Sequence, residues 1–187
     1  MRIISGTNKG KKLYAPEGAR VRPTGDKIKE ALFNIIGPID EEALVLELFA
    51  GSGSIGIEFL ARGAKHCTFV DVSRKSLSYV KKNLDLCNFR DRAKILLSDY
   101  EKAIINLSEA NERFDYIFAD PPYDLKLAYK IVNAILEYHL LKNKGLLIIE
   151  SEKSEKVIDK NQANMIECKE KIYGRTKISI IRYLEEK

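Results

Sequence analysis

From residue 44 onwards, short apolar strands alternate with helical patterns, and few architectures accept that order of elements. The predicted strands are Leu44–Leu48, Cys67–Asp71, Lys94–Leu97, Tyr116–Ala119 and Leu146–Glu150, and the predicted helices cover 54–62, 74–87, 100–109 and 125–140. Strands that are apolar on both faces are typical of a sheet covered by helices on both sides. The alternation therefore predicts an α/β fold with a doubly wound, mostly parallel sheet.

The C-terminal part of the chain departs from this alternation. Met165–Tyr173 and Lys177–Tyr183 are two strand-like segments that flank Gly174-Arg175. Two such segments around a short turn predict an antiparallel hairpin. Five parallel strands closed by a hairpin form the seven-stranded, Rossmann-like sheet of S-adenosylmethionine-dependent methyltransferases, and this is the fold that we predict.

The N-terminal part carries the whole net charge of the protein. Residues 1–30 hold eight basic and three acidic side chains. The difference is +5, which equals the net charge of the full chain. Arg2–Ser5 and Lys11–Tyr14 predict two small strands, and a helical pattern follows Thr24, which is a suitable N-cap. A charge excess confined to one segment indicates a surface that meets a polyanion, although a solvated basic tail is the alternative. We predict a basic N-terminal extension over 1–37 and a methyltransferase domain over 38–187.

The first predicted strand of the sheet leads directly into a glycine-rich loop. Gly51, Gly53 and Gly56 form a G-x-G-x-x-G pattern, which methyltransferases share with dinucleotide-binding enzymes. Glu47 stands four residues before Gly51, where its carboxylate can meet a positively charged amino-acid group. NAD presents a pyrophosphate to such a loop, whereas S-adenosylmethionine carries an ammonium group and no phosphate. The acid before the glycines therefore favours S-adenosylmethionine as the cofactor.

Two aspartates follow the next two strands. Asp71 lies 20 residues past Gly51, where a carboxylate can accept hydrogen bonds from both ribose hydroxyls. Its alternative role as a helix N-cap is already well served by Ser73. Asp99 is either an N-cap or an acceptor for the adenine amino group, and the two roles are compatible. The neighbours of these acids and of the glycines complete the predicted cofactor contacts: Phe49, Val72 and Tyr100.

The fourth strand is followed by Asp120-Pro121-Pro122-Tyr123. Two prolines can simply end a strand, but that role does not explain the acid and the aromatic residue beside them. An exocyclic amine on a nucleobase is a poor nucleophile, because its lone pair is delocalised into the ring. The Asp120 carboxylate and the Pro121 carbonyl can accept its two N–H bonds and localise that lone pair, in a loop that the prolines stiffen. Tyr123 offers a ring on which a flipped base can stack. The tetrapeptide predicts an amino-methyltransferase.

Further motifs accompany these two loops across the chain. They are Arg2-Ile3-Ile4-Ser5-Gly6, Gly10-Lys11-Lys12-Leu13, Arg22-Pro23-Thr24, Glu30-Ala31-Leu32-Phe33-Asn34, Leu48-Phe49-Ala50-Gly51-Ser52-Gly53 and Tyr173-Gly174-Arg175-Thr176. With them the chain resembles, over essentially its whole length, the bacterial 16S ribosomal RNA guanine-N2 methyltransferase family (small-subunit methyltransferase D). The N-terminal motifs narrow the resemblance to this family. Asp71 stands where relatives often have glutamate, and Tyr123 where some have phenylalanine.

The resemblance implies methyl transfer to the exocyclic N2 of one guanine in 16S ribosomal RNA on an assembled or nearly assembled small subunit. It implies that Thr24 and its neighbours close over the cofactor and that the basic N-terminal hairpin meets RNA. The basic residues that we assign to RNA contact are Arg2, Lys9, Lys11, Lys12, Arg20 and Arg22.

Three rival functions remain open from the residues. A DNA or RNA adenine-N6 methyltransferase can use the same tetrapeptide, but the DNA enzymes generally add a recognition domain for which this chain has no room. A protein-glutamine methyltransferase can hold a side-chain amide between the same acceptors, although the basic N-terminus favours a nucleic acid. A non-catalytic RNA-binding module is the third, and the intact Asp120 and glycine loop argue against it.

Composition bounds the remaining properties. No apolar run approaches about 18 residues, so we predict no membrane span, and no secretory signal begins the chain. Three widely spaced cysteines and two histidines give neither a disulfide framework nor a zinc-binding spacing: Cys67, Cys87, Cys168, His66 and His139. We predict a cytoplasmic, metal-free protein, and the lack of an obvious interface stripe suggests a monomer.

Overall fold

The computed structural model describes residues 1–15, 23–159 and 166–183. The helices are α1 (Pro23–Ile36), α2 (Ser54–Ala61), α3 (Arg74–Cys87), α4 (Tyr100–Glu109) and α5 (Ala128–Glu137), with short 3₁₀ turns at Arg90–Arg92 and Tyr123–Leu125. The strands are β1 (Leu44–Leu48), β2 (His66–Asp71), β3 (Ala93–Leu97), β4 (Phe114–Ala119), β5 (Leu141–Glu152), β6 (Ile166–Tyr173) and β7 (Thr176–Tyr183).

The strands form one seven-stranded sheet in the order β3-β2-β1-β4-β5-β7-β6. The first five strands of this order pair in parallel, and β7 pairs antiparallel with both β5 and β6. The predicted doubly wound sheet with a closing C-terminal hairpin is therefore confirmed. Strand order reverses between β1 and β4, and open α/β sheets bind their ligands at the carboxyl ends of the strands beside such a switch point.

Helices cover both faces of the sheet, and the alternation of side chains along β1 shows how. Val45 packs in a core with α1, α2 and α3, whereas Leu46 and Leu48 pack in a second core with α4 and α5. All three side chains are fully buried. Successive residues of a strand point to opposite faces, so a strand between two helical layers is apolar throughout.

The N-terminal segment lies on the α1–α3 side of the sheet. Its two predicted strands reduce to a single antiparallel bridge between Arg2 and Lys12, because Gly6 and Gly10 both adopt positive φ and turn the chain tightly between them. Ile3 is 1% exposed and belongs to the same core as α1, α2 and α3. The segment is therefore packed against the body of the protein through buried apolar side chains.

Several element boundaries differ from the predicted ones. α1 begins at Pro23 rather than after Thr24, in keeping with the suitability of proline for the first helical position. β5 begins at Leu141, which pairs with Phe114 across a bulge, and α5 begins later than predicted, at Ala128. In the described ranges, no helix is long and apolar enough to cross a membrane, and no group of three or more metal-binding side chains occurs.

Candidate active site

The loop between β1 and α2 is shaped by residues with positive φ. Phe49, Gly51 and Gly53 have φ angles of 58°, 55° and 76°. A Cβ on Gly53 would lie 3.1 Å from the ring of Phe69, so the loop packs tightly on its inner side. A Cβ on Gly51 would meet nothing closer than 4.0 Å. Gly51 therefore leaves open space on the outer side, where a ligand can approach the backbone.

Glu47 lies on the floor of the site and is only 3% exposed. Its carboxylate accepts hydrogen bonds from the backbone N–H of Gly56 at 3.0 Å and of Ile55 at 3.3 Å. These two N–H groups lie in the first turn of α2, where a helix offers them no carbonyl partner. Gly53, at the N-cap, has no side chain that could bind them. Burial raises the pKa of Glu47 to about 8, against the opposing effect of these backbone donors. Sequence reasoning placed Glu47 near the cofactor and did not anticipate this capping role.

Asp71 joins the end of β2 to the glycine loop. Its carboxylate accepts hydrogen bonds from the backbone N–H of Gly51 at 2.8 Å and of Ser73 at 2.7 Å. Ser73 is the N-cap of α3, with its hydroxyl accepting from Ser76 N–H at 3.2 Å, as predicted. The neighbouring Val72 exposes 74% of its surface. An oriented carboxylate thus stands beside an apolar side chain at the mouth of the loop.

Asp99 and Tyr100 follow β3 on the next strand outward. Asp99 is the N-cap of α4 and accepts from the N–H groups of Glu101 and Lys102, so its predicted capping role is present, while its role toward adenine stays a prediction. The Tyr100 ring lies 5.3 Å from the ring of Phe49, and its hydroxyl donates to Glu101 at 2.8 Å. Burial raises the pKa of Tyr100 to about 12, so this hydroxyl stays protonated.

The predicted catalytic tetrapeptide leaves the carboxyl end of β4 in the centre of the sheet. Asp120 and Pro122 are exposed, Pro121 is buried, and Tyr123 is half-buried. The Tyr123 hydroxyl donates to Glu150 Oε1 at 2.8 Å and lies 3.1 Å from the hydroxyl of Thr176. Burial raises the pKa of Tyr123, so its single proton goes to Glu150 and Thr176 is the donor in the second bond. Strand β5 and the C-terminal hairpin therefore hold the tyrosine ring in place.

A cleft of about 570 Å³ brings the glycine loop and the tetrapeptide together. Four acidic side chains and one basic side chain line it, which makes it suited to a cationic ligand. The lining includes these predicted site residues: Glu47, Phe49, Gly51, Asp120, Pro121, Pro122 and Tyr123. It also includes residues that sequence reasoning did not single out: Asp26, Lys29, Ser52, Ser54, Ile55 and Glu150.

The predicted RNA-binding residues differ in their surroundings. Lys9 and Lys12 are exposed, and Arg2 is exposed beside Asp26, at 3.9 Å. The ammonium of Lys11 donates to the backbone carbonyl of Leu86 at 2.9 Å in the last turn of α3, where a cation stabilises the helix dipole. The following predicted site residues lie outside the described part of the chain: Arg20 and Arg22, together with the side chain of Thr24.

A buried ion-pair network that the sequence analysis missed anchors the N-terminal segment beside the cleft. Glu58 is fully buried and accepts from Ile4 N–H at 2.8 Å and Ser5 N–H at 3.0 Å. Its carboxylate also lies 3.3 Å from the ammonium of Lys29 and 2.9 Å from the guanidinium of Arg62. Burial lowers the pKa of Lys29, and the Glu58 carboxylate opposes that shift. A charged residue inside an otherwise apolar helix is the signal that could have revealed the network.

A buried asparagine connects the N-terminal segment to the glycine loop. Asn83 on α3 is fully buried and accepts from Tyr14 N–H at 2.7 Å. Its amide nitrogen donates to the carbonyls of Tyr14 and Ser52, both at 2.9 Å. The segment that carries the predicted RNA contacts and the loop that carries the predicted cofactor contacts therefore share one hydrogen-bonded side chain.

Comparisons with known proteins agree with this arrangement. The family model described as conserved hypothetical protein 95 matches residues 1–182. The Bacillus subtilis protein YlbH is 37% identical over 97% of this chain and 98% of its own length. Ribosomal RNA small subunit methyltransferase D of Haemophilus influenzae is 33% identical over 93% of this chain and 89% of its own.

The fold also matches solved structures along its whole length. The Escherichia coli protein yhhF superposes with a TM-score of 0.84 at 27% identity, and the alignment covers 100% of this chain and 99% of that one. The resemblance deduced from the sequence motifs is therefore confirmed. The chain belongs to the conserved hypothetical protein 95 family, the family of the small-subunit ribosomal RNA methyltransferases D.

Proposed function

We propose that this protein is an S-adenosylmethionine-dependent ribosomal RNA methyltransferase that methylates the exocyclic N2 amine of a guanine in 16S RNA of the small subunit. The observation that carries the proposal is the single cleft lined by both the glycine loop and Asp120-Pro121-Pro122-Tyr123. Membership of a family that includes ribosomal RNA small subunit methyltransferase D supports the same substrate class.

The residues around the glycine loop fit S-adenosylmethionine. The open space beside Gly51 admits a ligand against the backbone, and the Asp71 carboxylate, which accepts from Gly51 N–H, is the group that we assign to the ribose diol. Glu47, on the floor of the cleft, offers a carboxylate for the amino-acid end. When bound, the cofactor supplies a methyl group on a sulfonium centre. The excess of acidic side chains in the cleft favours such a cation.

Asp120 is the residue to which we assign the activation of the amine. Its carboxylate and the Pro121 carbonyl accept the two N–H bonds of the exocyclic nitrogen and so localise its lone pair. This interaction strengthens as the nitrogen becomes tetrahedral, which is the requirement for lowering the barrier rather than only binding the substrate. Because Pro121 has a fixed φ and no N–H, its carbonyl is held in one direction.

Tyr123 is assigned to base positioning. Its ring is available for stacking at the edge of the cleft, and its hydroxyl is restrained by both Glu150 and Thr176. A ring held by two hydrogen bonds loses little conformational freedom when a base stacks on it. The restraint therefore supports a stacking role without any role for the hydroxyl in the chemistry.

The N-terminal extension over 1–37 is assigned to RNA contact. The exposed Lys9 and Lys12 and the exposed Arg2 supply the phosphate contacts that we assign to the described residues of this extension. Packing of Ile3 in the core and the Asn83 bonds fasten this segment to the body of the protein. Arg2 lies beside Asp26 of the cleft lining, whereas the turn that carries Lys9 lies against the C-terminal ends of α2 and α3. A basic N-terminal segment supports a nucleic acid over a protein-glutamine substrate, and membership of a family that includes ribosomal RNA small subunit methyltransferase D supports RNA over DNA.

We expect the protein to act as a cytoplasmic monomer, because the proposed substrate is a ribosomal particle and the large apolar side chains that are exposed in the described residues are few. Light scattering coupled to size exclusion tests this state directly. In the described ranges the large exposed apolar side chains lie on six different elements or loops: Tyr14, Ile35, Val72, Leu97, Leu125 and Ile172.

Transfer of a tritiated methyl group from S-adenosylmethionine tests the proposal against its rivals. The acceptors are 30S particles and naked 16S RNA, both free of modification, together with duplex DNA and a protein mixture. We expect incorporation into the 30S particles, with N2-methylguanosine as the product in nucleoside mass spectrometry. Incorporation into DNA or protein, or N6-methyladenosine as the product, contradicts the proposal.

A further inference from the structure

Glu150 lies beside the proposed catalytic aspartate on the neighbouring strand. Ala119, the last residue of β4, pairs with Ile149 of β5, so Asp120 and Glu150 each directly follow a residue of the same pair. Neighbouring strands lie about 4.8 Å apart, which keeps the two residues close together where β4 ends. Both side chains line the same cleft. A base whose amine reaches Asp120 therefore presents an adjoining atom to Glu150.

Glu150 also stands where the cleft opens into a second cavity of about 320 Å³. This cavity lies between α1 and the β6–β7 hairpin, and Ile28, Leu32 and Ile178 give it apolar walls. Phe118 and Glu150 line both spaces. Lys29 and Arg175 also line this cavity, and among the described residues Glu150 is the one carboxylate in its lining. A largely apolar cavity with a single carboxylate suits a planar base that presents a hydrogen-bond donor at its edge.

The three amino-bearing nucleobases differ in what lies next to the amine. In guanine, the N2 amine is flanked by N1–H, which is a donor, and by N3, which is an acceptor. In adenine, the N6 amine is flanked by the N1 acceptor on one side and by the N7 acceptor edge on the other. In cytosine, the N4 amine has the N3 acceptor on one side and a C–H on the other. Only guanine offers a donor beside the amine.

We infer that Glu150 is the specificity-determining residue of the site: its carboxylate accepts the guanine N1–H while Asp120 accepts an N2–H. An ionised carboxylate only accepts hydrogen bonds, so it repels the lone pair that adenine or cytosine presents at the same place. This inference rests on the proposed function, because it assumes that the target is a base amine held by Asp120. It answers a question that the tetrapeptide leaves open, since Asp120-Pro121-Pro122-Tyr123 activates adenine N6 and guanine N2 alike.

The hydrogen bond from Tyr123 makes Glu150 a well-oriented acceptor. Oε1 receives the Tyr123 hydroxyl at 2.8 Å, and Thr176 fixes that hydroxyl from the other side. Thr176 is only 5% exposed, so the arrangement is held from within the hairpin. A carboxylate restrained in this way discriminates between donor and acceptor edges better than a mobile one, because misplacing it to relieve the repulsion breaks the bond to Tyr123.

The test uses 30S particles reconstituted from unmodified 16S transcripts. Mass spectrometry first locates the guanine that the wild-type protein methylates, and a second set of particles carries adenine at that position. Single-turnover rates with saturating cofactor are then measured on both sets for the wild type and for Glu150→Gln. Glutamine keeps the volume and can still accept from Tyr123, but its amide can also donate to an acceptor edge.

We expect Glu150→Gln to lower the rate on guanine particles by about 10- to 150-fold, the range for a hydrogen bond to a charged group. The rate on adenine particles is expected to stay the same or rise, so the guanine-to-adenine rate ratio falls at least about tenfold. Glu152→Gln, two residues further along β5 and beside Arg175 at 3.7 Å, is the matched control and should change neither rate.

Tyr123→Phe tests the restraint on Glu150 separately from its charge. It leaves the Glu150 carboxylate ionised but removes the bond that orients it, so the guanine-to-adenine rate ratio should fall, but by less than in Glu150→Gln; a fall larger than that of Glu150→Gln contradicts the inference. If Glu150→Gln is too slow on both particles to give a ratio, Glu150→Asp decides. Aspartate keeps the charge, so a lower rate with a retained preference for guanine supports the inference, and equal rates on the two particles contradict it.

Failure of the inference and failure of the proposed function give different results. N2-methylguanosine from the wild type together with an unchanged rate ratio in Glu150→Gln overturns the role of Glu150 and leaves the proposed function standing. A wild type that makes no N2-methylguanosine on any particle overturns both.

Discussion

Two buried glutamates on either side of the β1–α2 loop have opposite surroundings. Glu58, under the N-terminal segment, is paired with Lys29 and Arg62 and receives two backbone N–H groups. Glu47, on the cleft floor, receives two backbone N–H groups and, within the described residues, has no cation within 4 Å. The first carboxylate has its charge compensated by the protein itself. The second faces a cleft in which a cationic ligand can supply the compensation.

The difference separates a structural region from a functional one. Around Glu58, every partner belongs to the chain, and the network connects α1 and α2 to the segment that carries the exposed lysines. Glu47 instead keeps its own proton near neutral pH, because burial raises the pKa of Glu47 to about 8. A buried acid that holds a proton near neutral pH and lines a cleft marks a site prepared for a ligand.

The largest effect on stability is expected from breaking the Glu58 network. Glu58→Ala leaves the ammonium of Lys29, which is only 3% exposed, without its ionic partner. Removing one member of a buried ion pair lowers the free energy of unfolding by about 3–5 kcal/mol. Urea denaturation measures this loss. The control is Glu42→Ala, which removes an exposed partner of Lys65 and should change stability by no more than about 0.5 kcal/mol. Equal losses in the two variants contradict a structural role for the network.

The titration of Glu47 should instead be detectable in the pH dependence of the free energy of unfolding. The unfolded chain releases the Glu47 proton near pH 4.5, whereas the folded protein keeps it until about pH 8. The folded state therefore binds more protons across this window, and its stability falls as the pH rises. Glu47→Gln lacks this titration. From pH 5 to pH 8, the wild type should lose about 2–4 kcal/mol more than the variant in urea denaturation. Parallel pH profiles for the two proteins contradict the raised pKa.

A substitution at Asp71 tests whether the region around the glycine loop binds the cofactor. Asp71→Ala removes both the proposed ribose acceptor and the bond to Gly51 N–H. Loss of a partner from a buried polar contact corresponds to a cofactor Kd raised by about 5- to 150-fold. Titration calorimetry measures the Kd, and the exposed Asp91→Ala serves as the control. A folded Asp71→Ala protein with an unchanged Kd removes this residue from the site.

The N-terminal lysines should give the smallest effect, and only on RNA. Reversal of the exposed Lys9 and Lys12 to glutamate removes two phosphate contacts. The slope of the logarithm of the RNA-binding constant against the logarithm of the salt concentration should therefore become shallower by about 2. Lys130→Glu on α5 with Lys144→Glu on β5 is charge-matched, and because α5 covers the face of the sheet opposite to the N-terminal segment, this pair should leave that slope nearly unchanged. Cofactor affinity should stay the same in both. An unchanged slope in the first pair makes the segment a solvated tail.

Much of the fold was predictable because its signals are local. Strand and helix periodicity located every parallel strand, and the hairpin followed from the turn at Gly174. The glycine loop and the tetrapeptide also lie in single stretches of sequence. Because parallel strands bring their carboxyl ends to one edge, those two stretches meet in one cleft.

The features that could not be predicted depend on contacts between residues that are distant in sequence. Glu58 binds Ile4, 54 residues away, and Asn83 binds Tyr14, 69 residues away. No spacing rule connects such positions, and a helical glutamate or asparagine ordinarily indicates a solvated face. Glu150 was missed for the same reason, since its place beside Asp120 is set by the register of β5 against β4.

The central claim is that Asp120 activates the attacking amine. Single-turnover methyl transfer to 30S particles, with cofactor and RNA both saturating, tests it most directly by comparing the wild type with Asp120→Ala and Asp120→Asn. We expect Asp120→Ala to bind both substrates and to lower the rate of transfer by about 10²–10⁴-fold. Asp120→Asn keeps one acceptor oxygen, so a rate near that of Asp120→Ala indicates that the negative charge matters. A folded Asp120→Ala protein that transfers methyl groups at nearly the wild-type rate contradicts the account and leaves the tetrapeptide a structural turn.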